Sequence, residues 1–153
     1  EGRTRCMNDR QKDDVFYVCC LIEYVSRITK NHRWEVVRRL GADGIHRMLD
    51  NAEINHCLSF EQVGEEIVEQ YKIPEGDFDT VAKCEYTVPG YLEIGRVYQQ
   101  LVLSIGAKQR PEDAIYSVFV SFISDAISDF NTNVYYSNPD YLRCSFLEGK
   151  LLA

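Results

Sequence analysis

The chain has 153 residues, 45% of them hydrophobic and 27% charged, with a formal net charge of −7 at pH 7. That length holds one domain with a real core or two small packed subdomains, and the composition is globular rather than disordered. The acidity disfavours a general nucleic-acid binder, and no apolar run approaches the roughly 20 residues that span a bilayer.

The opening Glu1-Gly2-Arg3-Thr4-Arg5-Cys6 lacks the apolar core of a signal peptide, and Met7 is a candidate native start. Residues 1–12 are expected to be disordered. Asp13-Asp14 then opens a first helix, with acids near the positive end of its dipole. Val15, Val18, Cys19, Ile22, Val25 and Ile28 recur at helical spacing along it. A short second helix, Trp34 to Leu40, buries Trp34, Val37 and Leu40, and Gly41 ends it. Asp43 caps a third helix carrying Ile45, Met48, Leu49 and Ala52.

Ser59-Phe60-Glu61-Gln62 reads as a capping box. The fourth helix follows, with Phe60, Val63, Ile67 and Tyr71 on its apolar face. Its outer face carries Glu61, Glu65 and Glu69 at four-residue steps, where like charges repel by a few tenths of a kcal/mol per pair. A nearby cation is therefore expected.

Residues Ile73 to Gly90 hold Pro74 and Pro89, two of the four prolines, and break the helical pattern. Beyond them, Tyr91, Ile94, Tyr98, Leu101 and Ile105 make a fifth helix ending near Gly106. Pro111, Glu112 and Asp113 start a sixth, the most apolar, through Ile115, Val118, Phe119, Phe122, Ile123 and Ile127. Asn138-Pro139-Asp140 starts a last helix through about Glu148. The expectation is an all-α fold of six or seven helices in two packed helical subdomains. Residues 13–73 form the first and 90–153 the second, joined by a linker at 74–89. Trp34, Phe60, Phe119 and Phe122 are the side chains expected to pack the halves together.

The six cysteines, Cys6, Cys19, Cys20, Cys57, Cys84 and Cys144, include no Cys-x-x-Cys pair, and most lie in or beside apolar helical stretches. Buried reduced cysteine acts as a small hydrophobe. A reduced, cytoplasmic protein is expected rather than a disulfide framework.

Charge is unevenly placed. From Arg27 to Arg47 six basic residues (Arg27, Lys30, Arg33, Arg38, Arg39, Arg47) stand against two acids. From Glu61 to Asp79 seven acids stand against Lys72 alone. Either the two segments neutralise each other in the fold, or one of them is a partner's docking surface.

The metal candidates are His46, Asp50, Glu53 and His56, with Cys57 as an alternative to the last. Their spacing places them on one side of a helix, and Glu53-x-x-His56 is half of a carboxylate-bridged di-iron pattern. The second half of that pattern is missing, so no metal or other cofactor is expected. His56 and Cys57 are adjacent and point about 100° apart on a helix, a poor arrangement for a catalytic dyad. No nucleophile elbow, phosphate loop or dinucleotide-binding turn occurs, so no catalytic residues are assigned. Trp34–Leu40, the glycine turn and Ile45–Ala52 have helix-turn-helix spacing, with Arg38, Arg39 and Arg47 as phosphate contacts. Asp43, Asp50 and Glu53 on the would-be recognition helix oppose DNA. Tyr135, Tyr136 and Tyr141 lie among asparagines after the sixth helix, a composition shared by interfaces and by loops that pack their tyrosines inward.

Phe16-Tyr17-Val18-Cys19-Cys20-Leu21-Ile22-Glu23-Tyr24, Leu40-Gly41-x-x-Gly44-Ile45 and Glu66-Ile67-Val68-Glu69-Gln70-Tyr71-Lys72-Ile73 together resemble a family of short uncharacterised helical proteins of gut-type bacteria. The match covers residues 15–73. Members are often encoded in small clusters beside ADP-ribosyltransferase-like proteins, in the manner of toxin–antitoxin modules. The resemblance implies a bacterial partner-binding protein and supplies no catalytic residues.

The reading that follows is a non-enzymatic protein-binding module, antitoxin- or immunity-like. Its expected partner is a protein of basic character, met through Glu61, Glu65 and Glu69 or through Tyr135, Tyr136 and Tyr141. A homo-oligomer is a second form of association, and no membrane is involved. A helix-turn-helix DNA-binding regulator is the alternative, followed by a metal-dependent enzyme.

Overall fold

A computed structural model describes residues 7–153. The described residues form seven α-helices and no strand: α1 (Asp9–Thr29), α2 (Arg33–Asn55), α3 (Phe60–Tyr71), α4 (Tyr91–Ile105), α5 (Pro111–Val120), α6 (Ile123–Ser128) and α7 (Pro139–Glu148). Residues 1–6 of the stretch expected to be disordered lie outside the described residues. Residues 9–12 of that stretch are helix instead.

The reason is a cap upstream of Asp13. The Asn8 side chain accepts from the Gln11 N–H at 2.8 Å, and the Gln11 side chain accepts from the Asn8 N–H at 3.0 Å. Two otherwise free donors are satisfied reciprocally, which fixes the helix start at Asp9. From there α1 becomes apolar around most of its circumference: Val15, Val18, Cys19, Cys20, Leu21, Ile22 and Val25 are all buried. Each such Val, Leu or Ile contributes about 1.5–3 kcal/mol relative to exposure. A helix apolar on all sides belongs at a centre, and α1 packs against α2, α3, α4 and α5.

One expected boundary differs. The expected second and third helices are the two stretches of α2, which meet at Gly41, where φ 68° and ψ 171° leave the helical region. Only glycine takes that backbone freely, so Gly41 ends the first stretch as expected. The expected sixth helix is instead two. Ser121 lies extended between α5 and α6, its Oγ donating to Val118 O at 2.7 Å and accepting from the Ile123 N–H at 3.3 Å. A serine side chain competing for backbone partners interrupts the apolar run. With the two stretches of α2 taken as one element, the described helices number seven.

At α3, Ser59 Oγ accepts from the Gln62 N–H at 3.0 Å. That is the serine half of the expected box.

The buried side chains before and after the 74–89 segment belong to one cluster, in which Ile94, Tyr98, Val102, Ile115 and Phe119 join residues of α1 and α2. Phe60 meets Tyr91 across the break, with ring centroids 5.0 Å apart, and Trp34 Nε1 donates to Asp125 of α6 at 3.3 Å. Phe119 stacks on Tyr98 at 4.1 Å within the second half, and Phe122 is partly buried against the core.

The 74–89 segment is strapped down. Gly76 N–H donates to Thr29 O and Phe78 N–H to Lys30 O, both at 2.8 Å. Asn31 Nδ2 donates to Pro74 O at 2.7 Å. Beneath the strap, Arg33 donates to Thr80 Oγ1 at 3.2 Å and Arg27 to Pro89 O at 2.8 Å. Both arginines are anchored on Glu23 of α1.

Candidate functional site

The basic segment is engaged mainly inside the molecule, and it meets the acidic segment chiefly through groups other than carboxylates. Arg27 and Arg33 bind Glu23. Arg39 donates to Lys72 O at 3.1 Å, and Arg47 donates to the Tyr71 hydroxyl at 2.9 Å. Arg38 lies over the Trp34 ring at 5.0 Å. The single ion pair between the two segments, among the described residues, is Lys30–Glu75 at 4.0 Å. It is exposed, and such pairs contribute about 0–1 kcal/mol.

Glu61, Glu65 and Glu69 are exposed along α3, and no described cation pairs with any of them. No described cation lies within ion-pair distance of them; Lys30, which lines the same cavity as Glu65 and Glu69, lies 4.0 Å from Glu75 instead. α3 is oriented by its inner face. Val63 and Ile67 are buried, and Gly64 lets the Tyr24 ring lie close enough that an added Cβ would sit 3.1 Å from Tyr24 Cε2. The glutamates consequently face outward. Their field reaches the contact: burial first, then Glu61, Tyr91 and Glu65, push the Tyr24 hydroxyl above its ordinary value. Ile28 belongs to the α1 stripe predicted to be buried, yet it is 46% exposed beside α3. Together with Val68 and Ile73 it lines a cavity of about 630 Å³ that Glu65, Glu69 and Glu75 also line.

The tyrosine segment is divided between inside and outside. Tyr141 donates its hydroxyl to Leu152 O at 2.8 Å, tying down the C-terminal residues. Tyr135 is half-buried, edge-on to Phe130 with centroids 5.8 Å apart. Tyr136 is 67% exposed and, with Tyr86 at 71%, borders an open depression that Asn131, Thr132 and Asn133 also line.

The metal candidates are dispersed. His46 Nε2 lies 3.2 Å from Asp50 and Nδ1 lies 3.4 Å from Glu112 of α5, so both ring nitrogens already face carboxylates. Glu53 pairs with Arg10. His56 follows the end of α2, its Nδ1 4.0 Å from Cys57 Sγ. Among the described residues no group of three or more His, Cys, Asp or Glu is placed to hold a metal ion. The five described cysteines are free. Burial holds the Cys19 thiol well above its ordinary pKa and pushes Cys20 up to about 12. The Gly-Ala-Asp-Gly stretch read as a helix-turn-helix turn begins at the break in α2 at Gly41, and of the proposed phosphate contacts Arg39 and Arg47 bond internally.

One cluster was not foreseen. His32 Nδ1 lies 2.7 Å from Asp125, whose other oxygen accepts from Trp34 Nε1, and the His32 ring stacks on Phe78 at 3.7 Å. His32, Phe78 and Asp125 help line a cavity of about 330 Å³ that Thr80, Lys83, Asp129 and Asn131 also line. It joins the α1–α2 turn, the strap and α6, elements more than forty residues apart in sequence. Asp125 sits in an apolar run, and nothing in its spacing marks it.

No described helix is long and apolar enough to cross a membrane. An all-α fold, whose acidic face no described cation pairs, is the class these observations define. No known family, curated protein or solved structure matches the chain.

Proposed function

We propose that this is a non-enzymatic protein-binding module that meets a basic partner through the outer face of α3, in the manner of an antitoxin or immunity protein acting on a neighbouring gene's product. The observation that supports the reading is the unpaired acidic row of Glu61, Glu65 and Glu69, next to a basic segment whose arginines bond elsewhere. Like charges four residues apart weaken a helix. A cationic partner removes that repulsion on binding, and complementary charge speeds the encounter. The tyrosine surface is the weaker alternative, because Tyr135 and Tyr141 are already engaged in the fold.

Affinity capture from the native host, read by mass spectrometry, tests this. Glu65→Lys/Glu69→Lys is expected to lose the partner that the unmodified protein recovers, and Tyr135→Ala/Tyr136→Ala to retain it. Recovery of nucleic acid alone, or loss of the partner only in the tyrosine variant, overturns the proposal.

A further inference from the structure

The acidic face has an apolar floor, and that floor restricts what can occupy it. Ile28 ends the α1 stripe at 46% exposure, Ile73 is buried, and Val68 of α3 is half-buried. All three line one cavity of about 630 Å³. Its carboxylates are Glu65, Glu69 and Glu75, and its one ammonium, Lys30, lies 4.0 Å from Glu75. Setting Lys30 against Glu75 leaves Glu65 and Glu69 with no described counter-charge.

We infer that this groove takes a peptide segment of a protein partner in which one aliphatic side chain is flanked by Lys or Arg. The aliphatic group covers Ile28 and Val68, removing exposed apolar surface from water. The flanking cations reach Glu65 and Glu69 at the rim, where they stay partly hydrated and confer orientation and salt sensitivity more than affinity. Anionic lipid is repelled by the same rim. A second copy of the chain is a poor occupant, since it carries a net charge of −7 and most of its basic residues from 27 to 47 already bond internally. The inference rests on the acidic face being the docking surface and adds the anchor.

The test uses the full chain labelled with nitrogen-15, titrated with acetyl-Gly-Lys-Arg-Leu-Lys-Arg-Gly-amide. Two control peptides replace the leucine by serine or all four cations by glutamine. The leucine peptide is expected to shift the amides of residues 28–30 and 65–75 saturably. The serine and glutamine peptides are expected to bind at least about tenfold more weakly, a difference of about 1.4 kcal/mol. Ile28→Ser, at a position exposed enough to leave the fold intact, is expected to weaken the leucine peptide by a similar factor, as is Glu65→Gln/Glu69→Gln. Equal binding of the leucine and serine peptides, or no effect of Ile28→Ser, removes the anchor while leaving the acidic docking face standing. No saturable shift with the leucine peptide, or shifts confined to Tyr86 and Tyr136, overturns the inference outright.

Discussion

Glu23 of α1 grips Arg33 of α2 through both of its oxygens, Oε1 to Nε at 2.9 Å and Oε2 to Nη2 at 2.6 Å, with both side chains fully buried. Arg27 adds a contact to Oε2 at 2.8 Å. Burial alone pushes the Glu23 carboxyl up, but the charges and hydrogen bonds of Arg33 and then Arg27 outweigh it, and the group is held below its ordinary 4.5. On Arg33 the same pairing overcomes a burial that opposes its charge, and its pKa is raised. Because the arginines also hold Thr80 and Pro89, this cluster ties α1, α2 and the strap into one unit.

Removing the carboxylate leaves two buried or half-buried guanidiniums without their counter-ion. Glu23→Gln is expected to destabilise by about 3–5 kcal/mol, the range for breaking a buried pair. Arg33→Met leaves Glu23 paired with Arg27, so its loss is expected to be smaller. Urea unfolding of the two variants decides the order.

The same carboxyl sets a pH dependence. A folded-state pKa below the unfolded one gives stability that is present above the unfolded value and lost as pH falls through the folded one. Stability is expected to decline as pH drops below about 4.5, the ordinary value for this group, and Glu23→Gln is expected to flatten that decline. Unfolding midpoints measured from neutral to acidic pH check the slope, and equal slopes for the two proteins contradict it.

Gly95 of α4 faces Cys20 of α1 so closely that an added Cβ would lie 3.0 Å from Cys20 Cα. Backbone cannot yield as a flexible side chain does. Gly95→Ala is expected to cost about 1–3 kcal/mol through overpacking of the α1–α4 contact, read as a lowered melting temperature by calorimetry.

Gly41 is the converse case. Nothing lies within 4 Å of a Cβ added there, yet its φ of 68° with ψ 171° suits glycine alone. Gly41→Ala is expected to cost about 1–3 kcal/mol by backbone strain, or to straighten α2. Circular dichroism during thermal unfolding gives the first quantity, and the crystal structure of the variant gives the second.

How far the sequence carried can be seen at particular residues. The stripes of α1, α3 and α4 were legible because periodicity reports burial directly: Val18, Ile22, Val63, Ile67, Ile94 and Tyr98 are all buried. Ile28 followed the same period and is 46% exposed, even though α3 lies beside it, with Ile28 Cδ1 3.7 Å from the Cβ position of Gly64. The Asn8-x-x-Gln11 cap was present in the sequence but overshadowed by Asp13-Asp14. Glu23 and Asp125 were invisible as pairing residues. Each lies in an apolar run, and its partner is brought to it by tertiary packing. The acidic row on α3 was legible, whereas its lack of a counter-charge became visible only once each arginine's partner was known.

The surface that a captured partner covers separates the α3 face from the tyrosine segment. Hydrogen–deuterium exchange of the protein, alone and with the partner recovered from the host, maps that surface. Slowed exchange at residues 28–30 and 60–75, with residues 86 and 131–136 unchanged, is the predicted result. Slowed exchange at residues 86 and 131–136 with α3 unaffected would contradict it.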